Sequence, residues 1–146
     1  MRVIIIGSSR GLSSLSAEDS LPFYLTKIPK KDISLLDWTL NELKKLQITD
    51  IIFIAGYHVE KIIKNYPNLK IVYNENWRTK RFLDTLPLVL NYLNKDTLII
   101  NSNMLFRSSL LKKISFNKGS FVISNTNKYI LDHSLFFFSK KNIKKL

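Results

Sequence analysis

The first stretch that could do chemistry is MRVIIIGSSRGLSS, where an apolar run from Val3 to Ile6 breaks into Gly7, Ser8, Ser9, Arg10 and Gly11. Small residues after a buried strand let backbone N–H groups converge on a phosphate oxygen, and glycine accepts the positive φ such convergence often needs. The competing reading is an ordinary strand-to-loop turn. A second group lies in the polar run from Asn74 to Arg81, where Arg78, Lys80 and Arg81 bring positive charge to a loop. Charge in that place suits an acidic substrate or a phosphate.

Other chemistries are excluded by composition. The 146 residues contain no cysteine, so a disulfide framework, a thiolate metal site and a cysteine nucleophile are all ruled out. The two histidines, His58 and His133, are far apart in sequence, and neither has a second His or Cys nearby to make a metal site. No apolar run reaches the roughly eighteen residues of a membrane span, and the run after Arg2 is too short for a signal peptide. The expectation is a cytoplasmic chain forming a single domain over 1–146.

The net charge is +12, and it is unevenly placed: residues 1–106 carry 14 basic and 10 acidic residues, residues 107–146 carry 9 and 1. A basic C-terminal third could attract an acidic protein or nucleic acid. The lysines are not interleaved with aromatics as single-strand binders require, so nucleic acid is not the expected partner. A lysine-rich coding bias accounts for the excess.

The elements that must position these groups alternate. Strands are expected at 2–6, Ile51–Ala55, Lys70–Tyr73, Thr97–Ile100, Phe121–Ile123 and Leu135–Phe138. A long loop fills Ser8 to Lys31, with Pro22 and Pro29 in it. Ser34 with Asp37 resembles a capping box that opens a helix carrying Leu36, Leu40 and Leu43 on one face. A short helix follows Gly56, with Glu60 and Lys64 paired one turn apart, and Pro67 stops it. A third helix is expected to start at Asp84 or Thr85, leaving Pro87 in its first turn, and a fourth covers Ser109 to Ile114. Such alternation predicts an α/β fold, a Rossmann-like three-layer α/β/α arrangement with a mostly parallel sheet. The loops after Ile6, Ala55, Tyr73 and Ile100 then share the carboxyl-end rim where ligands of such sheets bind.

The order of these segments resembles the nucleotidyltransferase family that joins a nucleoside triphosphate to a sugar phosphate or phosphocholine. The family's L-A-A-G-x-G-T/S-R-L loop is matched by Ile6 to Ser14, and its L-P-K-P-L by Leu21-Pro22-Phe23-Tyr24-Leu25. Leu35 to Ile52 is similar to its first helix and second strand, and Gly56-Tyr57 with Glu60-Lys61-Ile62 to its G-Y-x-x-E-x-I turn. Ile71 to Asn74 followed by Trp77 resembles its N-x-x-Y loop, and Ile99 to Phe106 its L-L-x-G-D-x-x-F segment.

The resemblance implies the nucleotide-diphospho-sugar transferase type of fold, a nucleoside triphosphate as substrate or ligand, Mg2+ as cofactor and a phosphorylated small molecule as second partner. It also locates departures. The family's catalytic Arg, Lys and magnesium-holding Asp are replaced by Ser13, Phe23 and Asn103. Each lost contact of that kind commonly costs about 2.7–4 kcal/mol of transition-state stabilisation.

Three readings follow. The first is a pseudoenzyme that binds nucleotide through Gly7, Ser8, Ser9, Arg10, Gly11, Thr85 and Asn101 but transfers weakly or not at all. The second is an active enzyme in which Lys27 or Arg10 replaces the lost cations, Asn103 with water holds the magnesium, and Arg78 and Arg81 receive the second substrate. The third is an interaction protein using its basic C-terminal surface. A homo-oligomer or partner chain could complete the site. Lys27, with Lys30 and Lys31, also reads as a solvated cluster, and Thr85 or Asp84 as a helix N-cap.

Overall fold

The computed structural model describes residues 1–9, 21–78, 83–112 and 136–138. Four strands, β1 (Arg2–Gly7), β2 (Ile51–Ala55), β3 (Lys70–Tyr73) and β4 (Thr97–Asn101), run parallel. A fifth, β5 (Phe136–Phe138), pairs antiparallel with β4, and the spatial order is β3-β2-β1-β4-β5. The strand expected at Phe121–Ile123 lies outside the described residues.

β-Branched residues dominate β1, and alternate side chains enter two separate cores. Val3 and Ile5 join Phe53, Ala55, Leu98 and Ile100 on one face; Ile4 and Ile6 join Ile52, Ile54 and Ile99 on the other. Both faces must therefore be covered. Three helices, α1 (Leu35–Lys44), α2 (Val59–Asn65) and α3 (Ser108–Lys112), contribute Leu36, Leu43, Ile62 and Leu111 to the first face. A 3₁₀ helix over Leu83–Tyr92 lays Val89 and Leu86 on the second.

The layer arrangement follows from strand order. Crossovers from β1 to β2 and β2 to β3 step one way across the sheet, and that from β3 to β4 steps back past β1. With handedness kept, a reversal of direction moves the connecting helix to the opposite face. The predicted α/β/α architecture is what the chain adopts.

α1 begins where the sequence places it. Ser34 Oγ accepts from the Asp37 N–H at 2.9 Å, and Asp37 Oδ2 accepts from the Ser34 N–H at 3.0 Å, so both halves of the capping box are made. α2 departs in one detail: Glu60 engages His58 Nδ1 at 2.6 Å rather than Lys64 one turn on. The third helix departs more. It starts at Leu83, winds as 3₁₀ and holds Pro87 inside. Asp84 lies in its first turn and Thr85 is its third residue, so neither is an N-cap. Proline lacks an N–H and its ring clashes with the carbonyl four residues back in an α-helix; the tighter i→i+3 winding avoids that contact.

Candidate functional site on the carboxyl-end rim

The strand register aligns four loops. Gly7 pairs with Ala55, Ala55 with Tyr73, and Ile6 with Asn101, so the chain leaves β1, β2, β3 and β4 at one edge. Three backbone bonds then tie the loops together beyond the ladder. The Tyr57 N–H donates to the Ser8 carbonyl at 3.0 Å, the Asn74 N–H to Ala55 at 2.8 Å, and the Ser102 N–H to Ile6 at 2.9 Å.

Two glycines make this closeness possible. A Cβ on Gly7 would stand 2.3 Å from Phe53 Cζ, and one on Gly56 would stand 2.4 Å from Trp77 Cβ and 2.5 Å from the Ser8 carbonyl oxygen. Real Cβ atoms do not approach so near, so Gly7 makes room for the Phe53 ring of β2 and Gly56 lets the loops meet.

Chain direction across the sheet reverses between β1 and β4, the crevice where open α/β sheets take their ligands. Gly7, Ser8 and Ser9 line one side. Ser8 is buried and Ser9 exposed. Asn101, Ser102 and Asn103 line the other. There the Asn101 carbonyl accepts from the Met104 N–H at 3.1 Å, and Asn101 Oδ1 from the Asn103 N–H at 3.4 Å. This turn leaves Asn103 Oδ1 buried with no hydrogen-bond partner.

That orphaned oxygen tests the implied magnesium site. Magnesium takes oxygen ligands and is held through one or two carboxylates together with substrate phosphates and water. Asn103 supplies one neutral oxygen, and among the described residues no group of three or more His, Asp or Glu side chains is placed to hold a metal. The donor set of the described residues therefore does not by itself fit a magnesium centre.

The other expected site residues fall apart into three groups. Arg10, Gly11, Ser13 and Arg81 lie outside the described residues. Thr85 is fully buried within the 3₁₀ helix. Lys27 pairs with Asp32, both strongly exposed, on a turn whose ends meet at Lys27 and Ser34. The hydrogen bond and charge of Lys27 hold the Asp32 carboxyl below its ordinary value.

Phe23 sits in a short 3₁₀ turn, Phe23–Leu25. Its neighbour Tyr24 is a residue that sequence reasoning passed over. The Tyr24 ring meets Phe53 edge-on at 5.0 Å, and its hydroxyl donates to the Tyr57 carbonyl at 3.2 Å. Burial pushes that phenol well above its usual range, so it remains a neutral donor. It fastens the loop after β1 to the loop after β2.

Arg78 lies over the Trp77 ring, 5.0 Å from its centroid, and the Trp77 ring packs at a tilt against Tyr57, their centroids 5.0 Å apart. Tyr57 in turn meets the His58 ring at 4.2 Å. An aromatic cluster drawn from two loops, after different strands, has no local sequence signal.

No protein-family model matches the chain, and sequence comparison with curated proteins finds no match. Solved structures do match. A CTP:phosphocholine cytidylyltransferase from Streptococcus pneumoniae superposes with a TM-score of 0.65 at 19% identity, over 96% of this chain and 71% of that one. A protein assigned as a glucose-1-phosphate thymidylyltransferase from Bacillus anthracis gives 0.65 at 14% identity, over 99% and 76%. The inositol-1-phosphate CTP transferase from T. maritima gives 0.65 at 18%, over 96% and 71%. At these identities the likeness establishes architecture alone: the chain has the Rossmann-like α/β fold of the nucleotidyltransferases.

Proposed function

We propose that this chain is a divergent nucleotidyltransferase-like domain that binds a nucleoside triphosphate in the crevice between β1 and β4. The observation that carries the reading is the juxtaposition of Gly7–Ser9 and Asn101–Asn103, held by the Ser102 N–H on the Ile6 carbonyl, in a fold shared with three nucleotidyltransferases. Backbone donors of a small-residue loop hold phosphate whatever the side chains are, so binding survives the substitutions at Ser13, Phe23 and Asn103.

Transfer does not survive them equally. Attack of a phosphate oxygen on the α-phosphorus builds negative charge, which preorganised cations and metal must neutralise. Of those three positions, the described residues place a phenyl ring at Phe23 and an amide at Asn103. Nucleotidyl transfer to a sugar phosphate or phosphocholine is accordingly weak or lost, and the second ligand is a phosphorylated small molecule.

Calorimetric titration with each common nucleoside triphosphate, with and without magnesium, tests the binding. The expected result is saturable heat for at least one of them, with little dependence on magnesium. No heat from any nucleotide overturns the proposal. Pyrophosphate release over sugar phosphates and phosphocholine tests the second half, and the expected rate is at or near background.

A further inference from the structure

The amino end of the sheet holds a cavity of about 310 Å³, lined by Met1, Leu46, Gln47, Ile48, Leu111 and Lys112. These residues come from three places: the residue before β1, the turn that leads from α1 to β2, and the end of α3. The length of β1 separates them from Gly7. At about 3.3 Å per residue, the cavity lies about 20 Å from the nucleotide crevice. We propose that it is a second ligand site, for a small amphipathic carboxylate. The apolar body of the ligand fills the cavity, and its carboxylate is met by Lys112 and Gln47. The assignment is independent of the nucleotide reading.

The lining divides by chemistry. Ile48 and Leu111 are buried members of the core on the α1 face, and half-buried Leu46 packs against that core. Met1 adds a fourth apolar side chain. Sites for small molecules have this composition, mostly apolar walls with a few polar groups that orient the ligand, and this volume falls at the lower end of their range. The two polar groups here are an ammonium and an amide, both on exposed residues. Among the described residues Lys112 has no carboxylate partner, and the Gln47 side chain makes no hydrogen bond. Three ammonium donors, an amide donor and no acid in the lining select an anionic oxygen head group over a cationic one.

The backbone of Gln47 is the second observation. The Ile48 N–H donates to the Leu43 carbonyl at 3.1 Å and the Gln47 N–H to the Lys44 carbonyl at 2.9 Å. These paired bonds end a helix through one residue in the left-handed conformation, and Gln47 is that residue, with φ 58°. Glycine is usual there, because a Cβ is strained at positive φ. Glutamine at this position costs stability, and what it adds is a polar side chain on the wall of the cavity.

Calorimetry and methyl NMR with butanoate, octanoate and dodecanoate test the site, with octylamine and octanol as head-group counterparts. Octanoate should bind once per chain and shift the methyls of Met1, Leu46, Ile48 and Leu111, while the Ala55 methyl at the opposite rim stays in place. Affinity should rise roughly two- to fourfold per methylene from butanoate to octanoate, as burial of CH₂ groups requires, and less steeply to dodecanoate once the cavity is full. Lys112→Met should weaken octanoate binding roughly three- to tenfold and leave octanol unchanged. Lys44→Met removes an exposed lysine outside the lining and should change neither. Gln47→Gly should weaken octanoate binding by a similar factor, with a thermal midpoint level with wild type or higher, since glycine is unstrained at that φ.

No octanoate binding by the wild type, equal binding of octylamine, or shifts scattered over methyls away from the cavity overturns the site. Equal loss in Lys44→Met and Lys112→Met does the same, because it reduces the effect to net charge. Full octanoate binding by both Lys112→Met and Gln47→Gly overturns the carboxylate assignment.

Discussion

The Ser102 N–H donates to the Ile6 carbonyl at 2.9 Å, one residue beyond the last β1–β4 register pair, Ile6 with Asn101. That bond carries the pairing of the two central strands out of the sheet and into the loops. It brings the buried, unpartnered Oδ1 of Asn103 to the edge of the crevice opposite Gly7. The rim is therefore an extension of the sheet, not a pair of independent loops.

Asn103→Asp should convert this neutral edge into an anionic one. The expected outcome is nucleotide binding that becomes magnesium-dependent, because a carboxylate is a far better ligand for a hard dication than an amide. Without magnesium the same variant should bind more weakly than wild type, through repulsion between carboxylate and phosphate. Paired calorimetric titrations with and without the ion check both signs.

Gly7→Ala and Gly56→Ala should each destabilise the protein. The new methyl would meet Phe53 in one case and Trp77 with the Ser8 carbonyl in the other, at 2.3 to 2.5 Å. Overpacking of this kind costs about 1–3 kcal/mol. Urea unfolding measures it, and Gly56→Ala alone should also change tryptophan emission, since its clash falls on Trp77.

A pH dependence is built into the start of α1. Burial raises the Asp37 carboxyl, but hydrogen bonds from Ser34 and Tyr66 outweigh it and leave the group below its ordinary value. The Tyr66 hydroxyl donates to Asp37 Oδ1 at 2.9 Å, and burial together with that carboxylate pushes Tyr66 up to about 12. A carboxyl depressed on folding stabilises above its unfolded value of about 3.9 and loses that contribution as pH falls through the lower folded value. Tyr66→Phe should thus be less stable than wild type at pH 7, and the gap should narrow as the pH drops below about 4. Denaturant titrations at several pH values read the difference directly.

Ser34→Ala should lose the capping box and cost about 0.5–2 kcal/mol. Because Ser34 Oγ also lies 3.0 Å from the Tyr66 hydroxyl, the loss should fall toward the upper end. A double-mutant cycle with Tyr66→Phe should show coupling, since both act on Asp37.

Arg2→Ala tests the opposite end of the sheet. Arg2 Nε donates to both Asp50 oxygens at 3.2 and 3.1 Å, and Nη1 to the Tyr92 carbonyl at 2.6 Å. These bonds join β1, the turn before β2 and the 3₁₀ helix. With Asp50 about one-third exposed, the loss should be about 1 kcal/mol, and nucleotide binding at the far rim should not change.

What the sequence made legible was local. Val3 to Ile6 read as a buried strand because four β-branched residues in a row suit a strand covered on both faces, and Ser34 with Asp37 read as a cap because both partners lie within one turn. Pro87 was read through α-helical rules, and the tighter winding that accepts it depends on packing of Val89 and Leu86 against the sheet. The direction of β5 and the contact of Tyr57 with Trp77 and Arg78 were not legible, since each needs residues far apart in sequence. At the candidate site, the rim positions of Ser8, Asn101 and Asn103 followed from strand order. Arg10, Gly11 and Arg81 lie outside the described residues.

The central place of β1 has a consequence for synthesis. Arg2–Gly7 leaves the ribosome before either of its neighbours; β2 follows and covers one edge, but the other edge stays open until Thr97–Asn101 has been made. During that interval an almost wholly apolar strand offers unpaired N–H and C=O groups to any neighbouring nascent chain. The stretch between Ala55 and Thr97 is therefore where translation speed and chaperone supply decide whether this chain folds or aggregates.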